Sequence, residues 1–158
     1  MAVAGISTLG VVLGYGVETT KGTRPATFKT LSRINDLPGL NLETEQIDAS
    51  ALEDLVSRYI PGRQDTGGTM AISINVSDDT IKEWEDAITA YNGLKDGKSM
   101  WFTIVSPNLT KSFDFTGAPP QRFPIPAMGQ NGLMTAEMSI VVDEYKGLQT
   151  KIVPTSGE

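Results

Sequence analysis

Tyr59-Ile60-Pro61-Gly62-Arg63-Gln64-Asp65-Thr66-Gly67-Gly68 runs directly into Thr69-Met70-Ala71-Ile72-Ser73-Ile74-Asn75-Val76-Ser77, and the second half of this stretch decides the fold class. Met70, Ile72, Ile74 and Val76 alternate with Thr69, Ala71, Ser73 and Asn75. A period of two sets one side of a strand against a core and leaves the other to solvent. The first half, an Ile-Pro-Gly turn followed by an acidic residue and two glycines, reads as the exit from a loop.

Outward from this strand the same period recurs. In Leu133 to Asp143, Met134, Ala136, Met138, Ile140 and Val142 oppose Thr135, Glu137, Ser139 and Asp143. Met100 to Ser106 is apolar on both sides and reads as a central strand. Lys111 to Thr116 puts Phe113 and Phe115 inward and Ser112 and Asp114 outward, and Pro107-Asn108-Leu109-Thr110 joins these two as a hairpin. Thr27 to Asn35 is a weaker strand, mixed on both faces. One helix interrupts the pattern over residues 80–92: Ile81, Trp84, Ile88 and Tyr91 form a stripe for packing on the sheet, Thr80 and Glu83 have capping-box spacing, and Asn92-Gly93 is a stop. Ser50 to Tyr59 has the spacing for a helical turn or two, and equally for Leu52, Leu55, Val56 and Tyr59 to act as anchors that order on contact; it is assigned to the loop. Gly117 to Gly132, with Pro119, Pro120, Pro124 and Pro126, is a long semi-rigid connection.

These elements predict a mainly β fold, a β-sandwich or flattened barrel with one flanking α-helix and a long acidic loop. The expected division is a flexible N-terminal arm at 1–26, a β-sandwich domain at 27–145 holding the loop 37–68 and the helix 80–92, and a C-terminal arm at 146–158. At 158 residues and 17.0 kDa the chain has the length of one domain. With no cysteine, disulfides and thiolate metal sites are excluded; with no histidine, His-dependent dyads and triads and the common zinc sites are too. The uncharged stretch to Gly16 lacks the basic start of a secretory signal, since its first basic residue is Lys21, beyond Glu18. No window approaches the ~18 apolar residues of a membrane span, so a soluble chain is expected. The glycines of Gly10 to Gly16 fit neither nucleotide-loop spacing.

The loop Leu37 to Asp54, the Ile60-Pro61-Gly62 turn, Asp65 and the glycines before the Thr69 strand resemble the tail tube proteins of tailed bacteriophages, of the long non-contractile type. The resemblance covers about Leu31 to Val142. It implies a structural, non-enzymatic virion subunit that self-assembles in the host cytoplasm into stacked, hexameric rings around a tape-measure protein, with tail-tip and terminator proteins as further partners. DNA passes through the tube as cargo, and neither a cofactor nor membrane insertion is implied. Carried onto this sequence, ring stacking falls to Leu40, Leu42, Ile47, Leu52, Leu55, Tyr59, Ile60 and Arg63, with Pro61, Gly62 and Gly67 setting the exit of the loop. Ser73, Asn75, Thr135, Glu137 and Ser139, with no basic residue among them, would line the lumen and repel phosphates. Sheet edges left open in one subunit would find partners in the ring.

Charge supports that reading. The net charge of −6 argues against a nucleic-acid grip. Asp36 to Asp65 holds Asp36, Glu43, Glu45, Asp48, Glu53, Asp54 and Asp65 against Arg58 and Arg63, whereas the preceding segment holds Lys21, Arg24, Lys29 and Arg33 against Glu18. Stacked copies could set one copy's acidic loop on the next copy's basic surface. The adjacent carboxylates Asp78-Asp79, Glu85-Asp86, Glu53-Asp54 and Asp143-Glu144 give no acid–base pair across a cleft. Two other readings remain: the tube protein of a contractile tail or secretion-system injection machine, and a carbohydrate-binding β-sandwich using Trp84, Trp101 and Tyr91, although their positions in the pattern make these core residues.

Overall fold

The structure, a computed structural model, describes residues 10–39, 43–53, 55–65, 68–126, 128–130 and 132–155. Its strands are β1 (Val12–Val17), β2 (Lys29–Leu31), β3 (Ile34–Asp36), β4 (Glu43–Asp48), β5 (Tyr59–Asp65), β6 (Thr69–Asn75), β7 (Met100–Val105), β8 (Lys111–Ala118) and β9 (Thr135–Thr150); α1 (Asp78–Asn92) lies between β6 and β7. Seven strands form one sheet in the order β2-β1-β7-β8-β9-β6-β3, and β4 pairs with β5 alone.

The two margins of the large sheet, β2 and β3, are separated by only Ser32 and Arg33, so the sheet curls into a nearly closed barrel. β2 and β3 are two halves of one bent strand: the first half pairs with β1 and the second with β6. The bend sits at Arg33, whose φ of 59° is left-handed. From the helix, the Glu83 carboxylate accepts the Ser32 backbone N–H at 2.8 Å and the Ser32 hydroxyl at 2.9 Å. The weak strand read over 27–35 is therefore present but broken, and its two short halves pair with only part of β1 and part of β6. The β2 margin is further covered by Thr155, which accepts from Thr30 N at 2.9 Å and donates its own N–H to Phe28 O at 3.0 Å.

Inside, Met70, Ile72 and Ile74 meet Ile140, Met138 and Ala136, respectively, across β6 and β9. Phe102 stacks on Phe115 with ring centroids 5.3 Å apart. The helix fills the remaining space with Trp84 and Ala87, both fully buried, beside Ile88; Ile81 is half-buried, and Tyr91 lies at the exposed edge of the stripe. Its N-cap is Ser77, three residues earlier than the sequence suggested. Ser77 Oγ accepts from Thr80 N and Ser77 N–H donates to Thr80 Oγ1 at 2.8 Å, which leaves Glu83 free for Ser32.

Both chain-end arms differ from expectation. Residues 12–17, assigned to a flexible arm, form β1, paired between β2 and β7, and β9 continues to Thr150, beyond the expected boundary at 145. The glycines of β1 admit other segments against its outer face: a Cβ at Gly14 would lie 2.6 Å from Pro154 Cγ, and one at Gly16 would lie 2.8 Å from Thr27 O. A strap, residues 18–28, covers the outer face of β7 and β8. Glu18 accepts from Ser99 N at 2.6 Å and Trp101 Nε1 at 3.1 Å. Arg24 Nε meets Asp114 Oδ2 at 2.7 Å, and Asp114 also accepts from Thr103 Oγ1 (2.7 Å) and Ser112 Oγ (2.9 Å). Ser112 and Asp114 do point away from the core, as alternation requires, yet both are fully buried beneath this strap, while Phe113, on the inner face, is exposed near the end of β8.

Arg24→Ala should strip the cation from a fully buried carboxylate and cost about 3 kcal/mol, measured by urea denaturation. A loss below about 1 kcal/mol, the scale of a surface ion pair, would show that the strap is held by other contacts.

Candidate assembly surface

The acidic segment predicted as a loop is a β-hairpin. β4 and β5 pair antiparallel from Glu43↔Asp65 to Asp48↔Tyr59, with an irregularity between Thr44 and Gln46. The Ile60-Pro61-Gly62 sequence read as a turn is thus the start of β5. Proline is tolerated there because each strand of a two-stranded ribbon is an edge. The arm is rooted at the C-terminal end of β3 and the N-terminal end of β6, and six residues of β4 carry its tip about 20 Å outward.

Hydrogen bonds close the base of the tip. Ala49 N–H donates to Arg58 O at 2.8 Å, Arg58 N–H to Ser50 Oγ at 2.7 Å, and Ser50 N–H to Asp48 Oδ1 at 2.9 Å. The backbone and then the side-chain hydrogen bond from Ser50 hold the Asp48 carboxyl below its usual pKa. Beyond this closure Leu52 and Leu55 are 109% and 102% exposed and Val56 76%, with Ile47 and Tyr59 exposed on the ribbon beneath. None of these large apolar side chains belongs to the buried core.

Of the residues assigned to stacking, the structure thus brings Ile47, Leu52, Leu55 and Tyr59 together on the arm, and places the backbone of Ile60, Pro61, Gly62 and Arg63 in β5. Leu40, Leu42 and Gly67 lie outside the described residues. Val56, named in the sequence as an anchor but not assigned to stacking, belongs to the tip.

A second surface is the outer face of β6 and β9. Ser73 faces Glu137, Asn75 faces Thr135 and Ala71 faces Ser139, so the five residues assigned to a lumen form one continuous face. Asn35 extends it by donating its amide to the Asn75 side chain. In contrast with the buried outer face of β7 and β8, Glu137 and Ser139 are exposed, and Ser73, Asn75 and Thr135 are half-buried. The aromatic residues considered for sugar binding form no platform, since Trp84 and Trp101 are buried.

A nearly closed barrel that holds a helix and projects a two-stranded arm is therefore the class of protein that these elements define. No protein-family profile matches the chain, and no curated protein matches it. A solved structure does: a chain of the anti-feeding prophage (AFP) baseplate, determined by cryo-EM and 6-fold symmetrised, superposes with a TM-score of 0.55. The match covers 96% of this chain and 100% of that one at 10% sequence identity, and is a likeness of fold.

Because its folded pKa is depressed, Asp48 supports the tip closure above the usual Asp pKa and loses that support as pH falls through the folded value. The Ser50 amide resonance should shift with a midpoint below the usual Asp pKa, and the transition should vanish in Asp48→Asn. A midpoint at or above the usual value would contradict the hydrogen-bonded closure.

Proposed function

We propose that this protein is a structural subunit of a phage-type tail, a tube protein that assembles into stacked, hexameric rings enclosing a conduit for the genome. The observation that carries the reading is the arm. A body with its margins nearly joined projects a hairpin whose tip exposes Leu52, Leu55 and Val56, and a second copy supplies what would cover them. The fold likeness to a prophage baseplate chain supports a tail-associated role. In the tube, the Ser73, Asn75, Thr135, Glu137 and Ser139 face lines the channel, where hydroxyl, amide and carboxylate groups give passing phosphates no cation to bind. The tape-measure, tail-tip and terminator proteins are its partners, DNA is cargo, and the activity is polymerisation and not catalysis.

The same likeness favours a second reading, a component of an injection machine related to that prophage assembly. A sheath gene beside this one would select it.

Negative-stain microscopy of concentrated protein tests the proposal. Wild-type protein should form tubes, whereas Leu52→Ser/Leu55→Ser should remain a folded monomer, its stability changed by no more than about 0.5 kcal/mol for each exposed site. Equal tube yield from the variant would refute the role of the tip. Glu137→Lys should assemble normally and slow DNA ejection from particles that carry it; unchanged ejection kinetics would remove Glu137 from the channel.

A further inference from the structure

The C-terminal segment leaves β9 at Thr150 and docks on the β1–β2 margin of the sheet. On the way Lys151 Nζ reaches Leu109 O, in the connection between β7 and β8, at 3.4 Å. Pro154 is buried against Gly14 of β1, where an added Cβ would lie 2.6 Å from Pro154 Cγ and 2.8 Å from Pro154 Cβ. Thr155 then runs parallel to β2 opposite Lys29, its carbonyl accepting from Thr30 N at 2.9 Å and its N–H donating to Phe28 O at 3.0 Å. These bonds occupy backbone groups along the margin of a strand only three residues long.

The dock thus holds the segment by backbone hydrogen bonds and by one proline seated on a glycine. None of these contacts depends on which copy supplies the segment. Only Lys151, Ile152 and Val153 join Thr150 to Pro154, although β8 and β7 lie between β9 and β1 in the sheet. Measured along the sheet, three strand spacings make about 14 Å, close to the full reach of four extended residue steps. A short, extended hinge before a terminal segment favours exchange of that segment between copies.

We propose that in the assembled protein residues 151–155 of each copy dock on Gly14 and β2 of the next copy in place of its own. The exchange refills the same margin and opens no new edge. It rests on the reading of the chain as a self-assembling subunit, and adds to the arm a second contact made by the C-terminal segment. A donor and a dock on every copy make this contact heterologous, so it continues from copy to copy.

Lys29 and Thr155 are both exposed and stand side by side across the parallel bridge, and the protein has no cysteine of its own. Adjacent strand positions have a Cα spacing that a disulfide accepts. Lys29→Cys/Thr155→Cys, oxidised as dilute monomer, should close within one chain and run at monomer mass on a non-reducing denaturing gel. Assembled at high concentration before oxidation, the same variant should give a ladder of dimers, trimers and longer chains that collapses on reduction. Assemblies whose disulfides all stay within single chains would overturn the exchange while leaving self-assembly intact. A ladder that stops at dimers would mean a reciprocal swap and would overturn the copy-to-copy contact, and dilute monomer that fails to close would remove the dock itself. Monomer at every concentration would overturn both the exchange and the reading beneath it.

Discussion

The hydrogen bonds from Ser32 to the Glu83 carboxylate hold the bend on which the rest of the structure depends. They fix the point where one strand stops pairing with β1 and starts pairing with β6, and they tie that point to the helix inside the curl. The long β9 makes the matching switch on the other side, pairing first with β6 and then with β8. With both switches in place the margins of the sheet meet, apart from two residues, and Trp84 and Ala87 fill the interior.

A body closed in this way has little edge left for strand addition, so growth by edge-to-edge pairing is not what its topology offers. The unfinished part is the arm. An isolated two-stranded hairpin is marginally stable in water, and this one also holds large apolar side chains away from the core. Both costs diminish if the tip is buried in a second copy, so the physical weakness of the arm and its proposed role have one origin. The strap over β7 and β8 has a complementary effect: it occupies one outer face of the barrel, whereas Glu137 and Ser139 on β9 are exposed.

The sequence made the alternating strands legible because β6 and the first half of β9 keep one face buried along their whole length. It revealed less where distant segments intervene. Asp114 obeys the parity of its strand, but its burial depends on Arg24, 90 residues away. The glycines of β1 looked like an arm because glycine weakens a strand; their purpose, close approach of Pro154 and Thr27, exists only in the folded chain. Pro61 and Gly62 suggested a turn because an unpaired ribbon edge has no signature distinct from a loop. In the arm, the exposed leucines were legible as residues without a core position.

Sedimentation velocity of the wild-type protein over a wide concentration series, at low and at high salt, tests most directly whether the arm is completed by another copy. The account predicts a weight-average sedimentation coefficient that climbs with concentration, and climbs less steeply at high salt because contact between the acidic arm and basic groups of the next copy is screened. A single monomeric boundary at all concentrations and both salts would contradict it.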